Sequence, residues 1–268
     1  MGVSAFRVLG PIEVSKDDTR LTLGGPQQVK LLAFLLLNAN RALSADAVID
    51  AVWGAGRQGA AKRMQMGVLR LRRGLEPLNN PDGPRLRTVS GGYFLSVAPG
   101  ELDADVFAAQ VQDGRAALDA GDPVRARDLL GSALGLWRGA PLAEVAFEDF
   151  AQAEIRRLEE RRLEALEARI DADLRLRSHA RVVGELQALL AEHPTRERLA
   201  SQLMLALYRC APGGRARGLP AHPGAACRGA GPRARPGAED APDADPRTGT
   251  VAKTGIRRGD QRIAQDRS

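Results

Sequence analysis

Residues 57–97 couple a two-faced basic helix to a tight hairpin, and no other stretch of the chain narrows the choice of fold as far. The helical part reads Ala60-Ala61-Lys62-Arg63-Met64-Gln65-Met66-Gly67-Val68-Leu69-Arg70-Leu71-Arg72-Arg73-Gly74-Leu75-Glu76. At about 100° per residue, Met64, Val68, Leu71 and Leu75 fall within one narrow stripe. Lys62, Arg63, Arg70 and Arg73 lie opposite it, with Arg72 on the flank. The hairpin reads Leu86-Arg87-Thr88-Val89-Ser90-Gly91-Gly92-Tyr93-Phe94-Leu95-Ser96-Val97, and its Gly-Gly pair is expected to supply the positive φ angles of the turn. One face to bury, one positive face and a following hairpin predict a winged helix-turn-helix. That arrangement sets a helix in the major groove of duplex DNA and a hairpin against the backbone.

The preceding residues supply the rest of such a domain. Phe6, Val8, Ile12, Val14, Leu21 and Leu23 alternate with polar or turn residues, predicting short strands over 5–23. Pro26 suits the first turn of a helix through Val29 to Leu37 that is apolar on most sides, closed by Asn38-Ala39-Asn40. Ser44 is a good N-cap for a second helix, Ala45 to Trp53, with Val48, Ile49, Val52 and Trp53 facing inward. Trp53, Tyr93 and Phe94 read as core residues rather than base-stacking ones.

From about Asp103 the pattern becomes helix upon helix. Val106, Phe107, Val111 and Leu118 mark one, Val124 to Trp137 the next, and Phe147 to about Leu176 a long charged one. Two more follow, at roughly His179–Glu192 and Thr195–Tyr208, separated by His193-Pro194. Paired helices with Gly, Asp and Pro turns predict a tetratricopeptide-like arrangement. Charge changes with the pattern: residues 1–100 carry 13 Lys/Arg against 7 Asp/Glu, and residues 101–210 carry 15 against 20. A basic first domain joined to an acidic second one suggests a nucleic-acid reader attached to a protein-facing module. After Cys210, 10 Gly and 7 Pro in 58 positions predict disorder. The expected organisation is therefore an α+β winged helix-turn-helix domain (1–98), an all-α tetratricopeptide-like domain (99–210) and a disordered tail (211–268).

These residues resemble the SARP family, the antibiotic regulatory proteins of actinomycetes, over about residues 5–210. The resemblance is carried by Phe6-Arg7-Val8-Leu9-Gly10-Pro11, Arg70-Leu71-Arg72-Arg73, Gly91-Gly92-Tyr93 and Leu136-Trp137-Arg138-Gly139-Ala140-Pro141-Leu142. Leu203-Met204-Leu205-Ala206-Leu207-Tyr208-Arg209 is equally typical of the family's second domain. It implies an OmpR-like winged helix joined to a bacterial transcriptional activation domain. Such a protein is an activator that binds promoter direct repeats in double-stranded DNA as a homodimer and recruits RNA polymerase to biosynthetic operons. The family usually has a polar residue, often His, at Gly67, Ser or a basic residue at Leu69, and often Arg at Ser90. The family's closing Leu-Gly-Leu-Asp-Pro-Gly-Pro-Glu-Leu-type segment is missing, yet Cys227 to Ala238 is codon-compatible with it one base out of frame. A frame shift near residue 210 is the expectation, with Leu199, Leu203, Leu207 and Tyr208 left partly exposed.

Among the basic residues, Arg70 and Arg73 are expected at bases or phosphates, and Lys62, Arg63 and Arg72 at the DNA backbone, where they set affinity and its salt dependence. Arg87 and Thr88, entering the wing, are phosphate-contact candidates. Met66 and Leu69 share the outer face; they meet thymine methyl groups or are tolerated surface residues. The long helix carries Arg156, Arg157, Glu159, Glu160, Arg161, Arg162 and Glu164, read either as a polymerase-docking surface or as i,i+4 ion pairs on a solvated face.

Other classes find little support. His179, His193 and His222 lack partners at metal-ligand spacing, and Cys210 and Cys227 have none either. Gly24-Gly25-Pro26-Gln27 lacks the later Gly-Lys-Ser/Thr of a phosphate loop. No enzyme, cofactor or metal is expected. No run of about 18 apolar residues predicts a membrane span, and the start lacks a signal-peptide pattern, so a cytoplasmic, nucleoid-associated protein is expected. The rival reading is a helical-repeat adaptor for protein partners with a degenerate, non-DNA-binding winged helix.

Overall fold

The computed structural model describes residues 5–211 apart from 18, 55, 57 and 80–82. The chain opens with β1 (Phe6–Arg7), β2 (Glu13–Lys16) and β3 (Thr19–Arg20), an antiparallel sheet in the order β1-β2-β3. Helix α1 (Pro26–Leu37) begins on its proline, and α2 (Ala45–Trp53) begins where the Ser44 hydroxyl accepts from the Ala47 amide at 3.1 Å. A cap of that kind stabilises a helix by about 1 kcal/mol. Helix α3 (Ala60–Leu75) packs its stripe against both, and the wing follows as β5 (Leu86–Val89) and β6 (Gly92–Leu95).

The wing is more than a hairpin. A short strand β4 (Ala42–Ser44), unforeseen in the sequence, pairs antiparallel with β6, giving the sheet order β4-β6-β5. Its three residues lie too close to α2 to show an alternation of their own. The two glycines of the turn turn out to serve different purposes. Gly91 has φ +76°, as a tight turn requires, but Gly92 is glycine because β4 passes so close. A Cβ there would stand 1.8 Å from the Leu43 carbonyl oxygen, which backbone cannot vacate.

Five helices follow: α4 (Asp103–Asp119), α5 (Pro123–Leu134), α6 (Asp149–Arg175), α7 (His179–Glu192) and α8 (Glu197–Cys210). Helix α5 stops at Leu134, three residues before the expected Trp137, whose ring instead meets Phe107 edge-on at 5.5 Å. Helices α4 and α5 pack tightly because Gly114 admits Leu130 against the α4 backbone. The pairs α4–α5 and α7–α8 are the helical hairpins that the sequence pattern predicts. The architecture is thus a winged helix-turn-helix followed by an all-α domain.

One hydrophobic core runs through both halves, from Phe6 and Leu9 through Leu31, Leu71 and Leu95 to Phe107, Leu130 and Leu158. Asp103, at the first turn of α4 and almost fully buried, is the polar rivet of the junction: its carboxylate accepts from the amides of Val8 (2.8 Å) and Leu9 (3.1 Å). Burial pushes its pKa up, although those two amides, Arg138 and the Ala104 amide each favour the charged form. Arg138 also donates to the Pro11 carbonyl (2.9 Å) and pairs with Glu13 (2.8 Å). Removing one partner from such a buried set costs about 1–3 kcal/mol per orphaned group. A second, smaller cluster of Leu163, Ile170, Leu174, Val182, Leu186, Leu199 and Ala206 holds α7 and α8 on the end of α6.

Of the α8 residues expected to be partly exposed, Leu199 is instead fully buried in that cluster, because it faces α6. Leu203 is half-buried, and Leu207 and Tyr208 are exposed, together with Met204 and Leu205. The expected disordered tail and its frame shift lie outside the described residues.

Candidate nucleic-acid interface

Helix α3 owes its orientation to its buried face. Ala60, Met64, Gly67, Val68, Leu71 and Leu75 point inward. Gly67 faces the core rather than solvent: a Cβ on it would lie 3.4 Å from the Trp53 ring and 3.5 Å from a Leu31 methyl, ordinary contact distances. With that side fixed, Lys62, Arg63, Gln65, Met66, Leu69, Arg70 and Arg73 are all exposed. From Ala60 to Leu75 the helix carries no acidic residue. Met66 is 45% and Leu69 41% exposed.

The cations are not equivalent. Arg72, expected at the DNA backbone, is half-buried and tied to the wing: its Nε donates to the Leu86 carbonyl (2.9 Å) and its Nη2 to the Thr88 hydroxyl (2.6 Å). That clamp fixes β5 relative to α3 and engages Thr88 as an acceptor. Arg87 lies over the Phe94 ring at 5.0 Å from its centroid, held by cation–π attraction with its residue still exposed. Arg63 donates to the Gln58 carbonyl at 2.9 Å, closing the loop before α3. Lys62, Arg70 and Arg73 have no hydrogen-bond or ion-pair partner among the described residues. Arg70 and Arg73 border a recess of about 430 Å³ whose other walls include Thr22, Gly25 and Gln28 at the start of α1. Trp53 and Tyr93 are buried as expected, and Phe94 is half-buried beneath Arg87.

Gln65 belongs to the same exposed arc, although being uncharged it does not stand out in the sequence as the cations do. Its spacing of three from Lys62 and four from Leu69 is the signal that finds it. The long helix resolves differently. Arg157 pairs with Glu154 one turn back, Glu160 with Arg196, Glu164 with Arg115, and Arg162 lies over Trp137 at 4.9 Å. Three of these four contacts leave α6, and the fourth is i,i+3; none is an i,i+4 pair along a solvated face. The Arg196 guanidinium, held by Glu167 and Glu160, has its pKa raised further. Arg156, Glu159 and Arg161 make no such contact among the described residues.

Both halves of the chain match known families. Residues 18–95 match the family "Transcriptional regulatory protein, C terminal" and residues 102–219 the "Bacterial transcriptional activator domain". The regulatory protein AfsR of Streptomyces coelicolor is 44% identical over 214 residues, covering 78% of this chain and 20% of AfsR. This chain thus spans about a fifth of that relative's length. The regulatory protein DnrI of Streptomyces peucetius is 36% identical over 210 residues, covering 76% of this chain and 77% of DnrI. A solved structure of Mycobacterium tuberculosis EmbR, in complex with a low affinity phosphopeptide, is similar with a TM-score of 0.71 at 33% identity, over 76% of this chain and 54% of that one. With both family matches in order and DnrI alike over most of its length, the chain belongs to the SARP family of transcriptional regulators.

Proposed function

We propose that this regulator is a sequence-specific activator that sets α3 in the major groove of promoter DNA. The single observation that carries the reading is the outer face of α3. It presents Lys62, Arg70 and Arg73 without partners among the described residues and no carboxylate along its length, on a helix whose other side is locked into the core. Such a surface is complementary to a polyanion and to little else. Arg70 and Arg73 reach bases or phosphates, and Lys62 and Arg63 the flanking backbone. Arg87 touches phosphate from the wing, which the Arg72–Thr88 clamp holds at a fixed distance from α3. Family membership supports the remainder: direct-repeat sites bound by a homodimer, recruitment of RNA polymerase through the helical domain, and control of biosynthetic genes.

The test is a salt titration of duplex binding by the full chain. Log affinity should fall steeply and linearly with log salt, by about 0.9 per phosphate neutralised. The double variant R70A/R73A should lower the slope by about 2 and weaken binding at least 30-fold, at about 1–3 kcal/mol per contact. The adaptor reading draws on the exposed apolar face of α8 and predicts weak, shallow salt dependence unaffected by those substitutions.

A further inference from the structure

Met66 and Leu69 are the only large hydrophobic residues exposed among the described residues of the winged-helix half. They stand three residues apart on the same helical face, so their side chains adjoin. Around them lie Lys62, Gln65, Arg70 and Arg73, which together with the pair span an arc of about 140°. Among the described residues the pair stands apart from the exposed apolar residues of α8, where four sit together.

A groove of duplex DNA is almost wholly polar, with one exception: the 5-methyl group of thymine in the major groove. We infer that Met66 and Leu69 read thymine methyl groups, making A·T pairs the specificity determinants at the centre of the half-site. The inference rests on the DNA-binding reading above and adds to it which base pairs are read and by what contact. Three features support DNA as the occupant. The patch lies inside the cationic arc, so anything seated on it must also satisfy Lys62, Arg70 and Arg73. The unbranched thioether of Met66 adapts to a methyl group whose position shifts with local helix geometry. Gln65, four residues before Leu69 and so beside it on the same face, carries the amide that pairs with adenine N6 and N7, so one helix face offers a partner to each half of an A·T pair.

The test uses a duplex recovered by the full chain from a random library, resynthesised with deoxyuridine replacing each thymidine in turn. This removes the methyl group and nothing else. At one or two positions the change should weaken binding about four-fold per methyl, the equivalent of one buried methylene. The variant M66A/L69A should lose a similar amount on the thymidine duplex and bind the two duplexes equally. Both side chains are exposed, so this variant should keep its fold, checked by circular dichroism. If the wild type binds a defined site yet is indifferent to every uridine substitution, methyl readout is wrong and DNA binding stands. If the variant keeps the thymidine preference, other residues read the methyl groups. If the chain binds no duplex at low salt, the DNA-binding reading fails and methyl readout with it, and the patch is a protein-binding surface.

Discussion

Helices α3 and α8 each bury one face and show the other, yet the shown faces have opposite chemistry. Helix α3 displays four cations on its outside, with one amide and two apolar side chains between them. Helix α8 displays Met204, Leu205, Leu207 and Tyr208, the last 67% exposed. Beneath α3 lies the large core shared by both halves, and beneath α8 only the small cluster at the end of α6. Amphipathic periodicity identifies which side of a helix is buried. The chemistry of the other side decides what it suits: a polyanion for α3 under the proposed function, and an apolar surface for α8.

The sharpest way to break this comparison is to cut the same side chain from each helix. Leu71 and Leu199 are both fully buried. Leu71→Ala should cost about 4 kcal/mol and Leu199→Ala about 2, since a small cluster at the end of the molecule can close over the cavity more easily. Urea midpoints of the two variants measure this; equal losses would mean that the α8 cluster is packed as rigidly as the main core.

A milder change concerns Gly67, one of the two glycines within α3. Because a Cβ there meets Trp53 and Leu31 at ordinary contact distance, Gly67→Ala should raise stability by up to about 1 kcal/mol. DNA affinity should stay the same, since the added methyl points inward. A fall in melting temperature would show that Trp53 cannot give even slightly.

The smallest effect separates the two helices by pH. His179, at the start of α7, lies in a recess it shares with Leu205 and Arg209 of α8, and its Nδ1 is buried with no hydrogen-bond partner. Burial first, then Arg209 and Arg177, lowers its pKa from the ordinary 6.5. An imidazole with a depressed folded pKa binds its proton better in the unfolded chain. Its stabilising contribution is present above 6.5 and is lost as pH falls through 6.5 towards the folded value. A small drop in melting temperature on acidification should therefore disappear in His179→Gln. Helix α3 carries neither histidine nor carboxylate, so the salt slope of DNA binding should not move over the same range. A slope that changed would point to a titrating group near the DNA.

Local chemistry made much of this legible from the chain. Pro26 marks the start of α1 and Ser44 caps the start of α2, and the 3.6-residue repeat of Met64, Val68, Leu71 and Leu75 orients α3 correctly. What stayed hidden depends on partners distant in sequence. Strand β4 exists only because β6 offers it an edge. Gly92 is required by a carbonyl 49 positions earlier, and Asp103 by amides at Val8 and Leu9, 95 and 94 residues away. Arg72 reads as one more cation of the basic helix until Leu86 and Thr88 are placed beside it.

The sequence by itself determined the order of elements, the buried stripe of each main helix and the positive sign of α3, since periodicity and charge are local and additive along the chain. The tertiary structure decided which cations are free to act, which glycines have no substitute, and that the two halves share a core. Those outcomes turn on steric approach and hydrogen-bond pairing between residues far apart in sequence, which only the closed fold brings within reach.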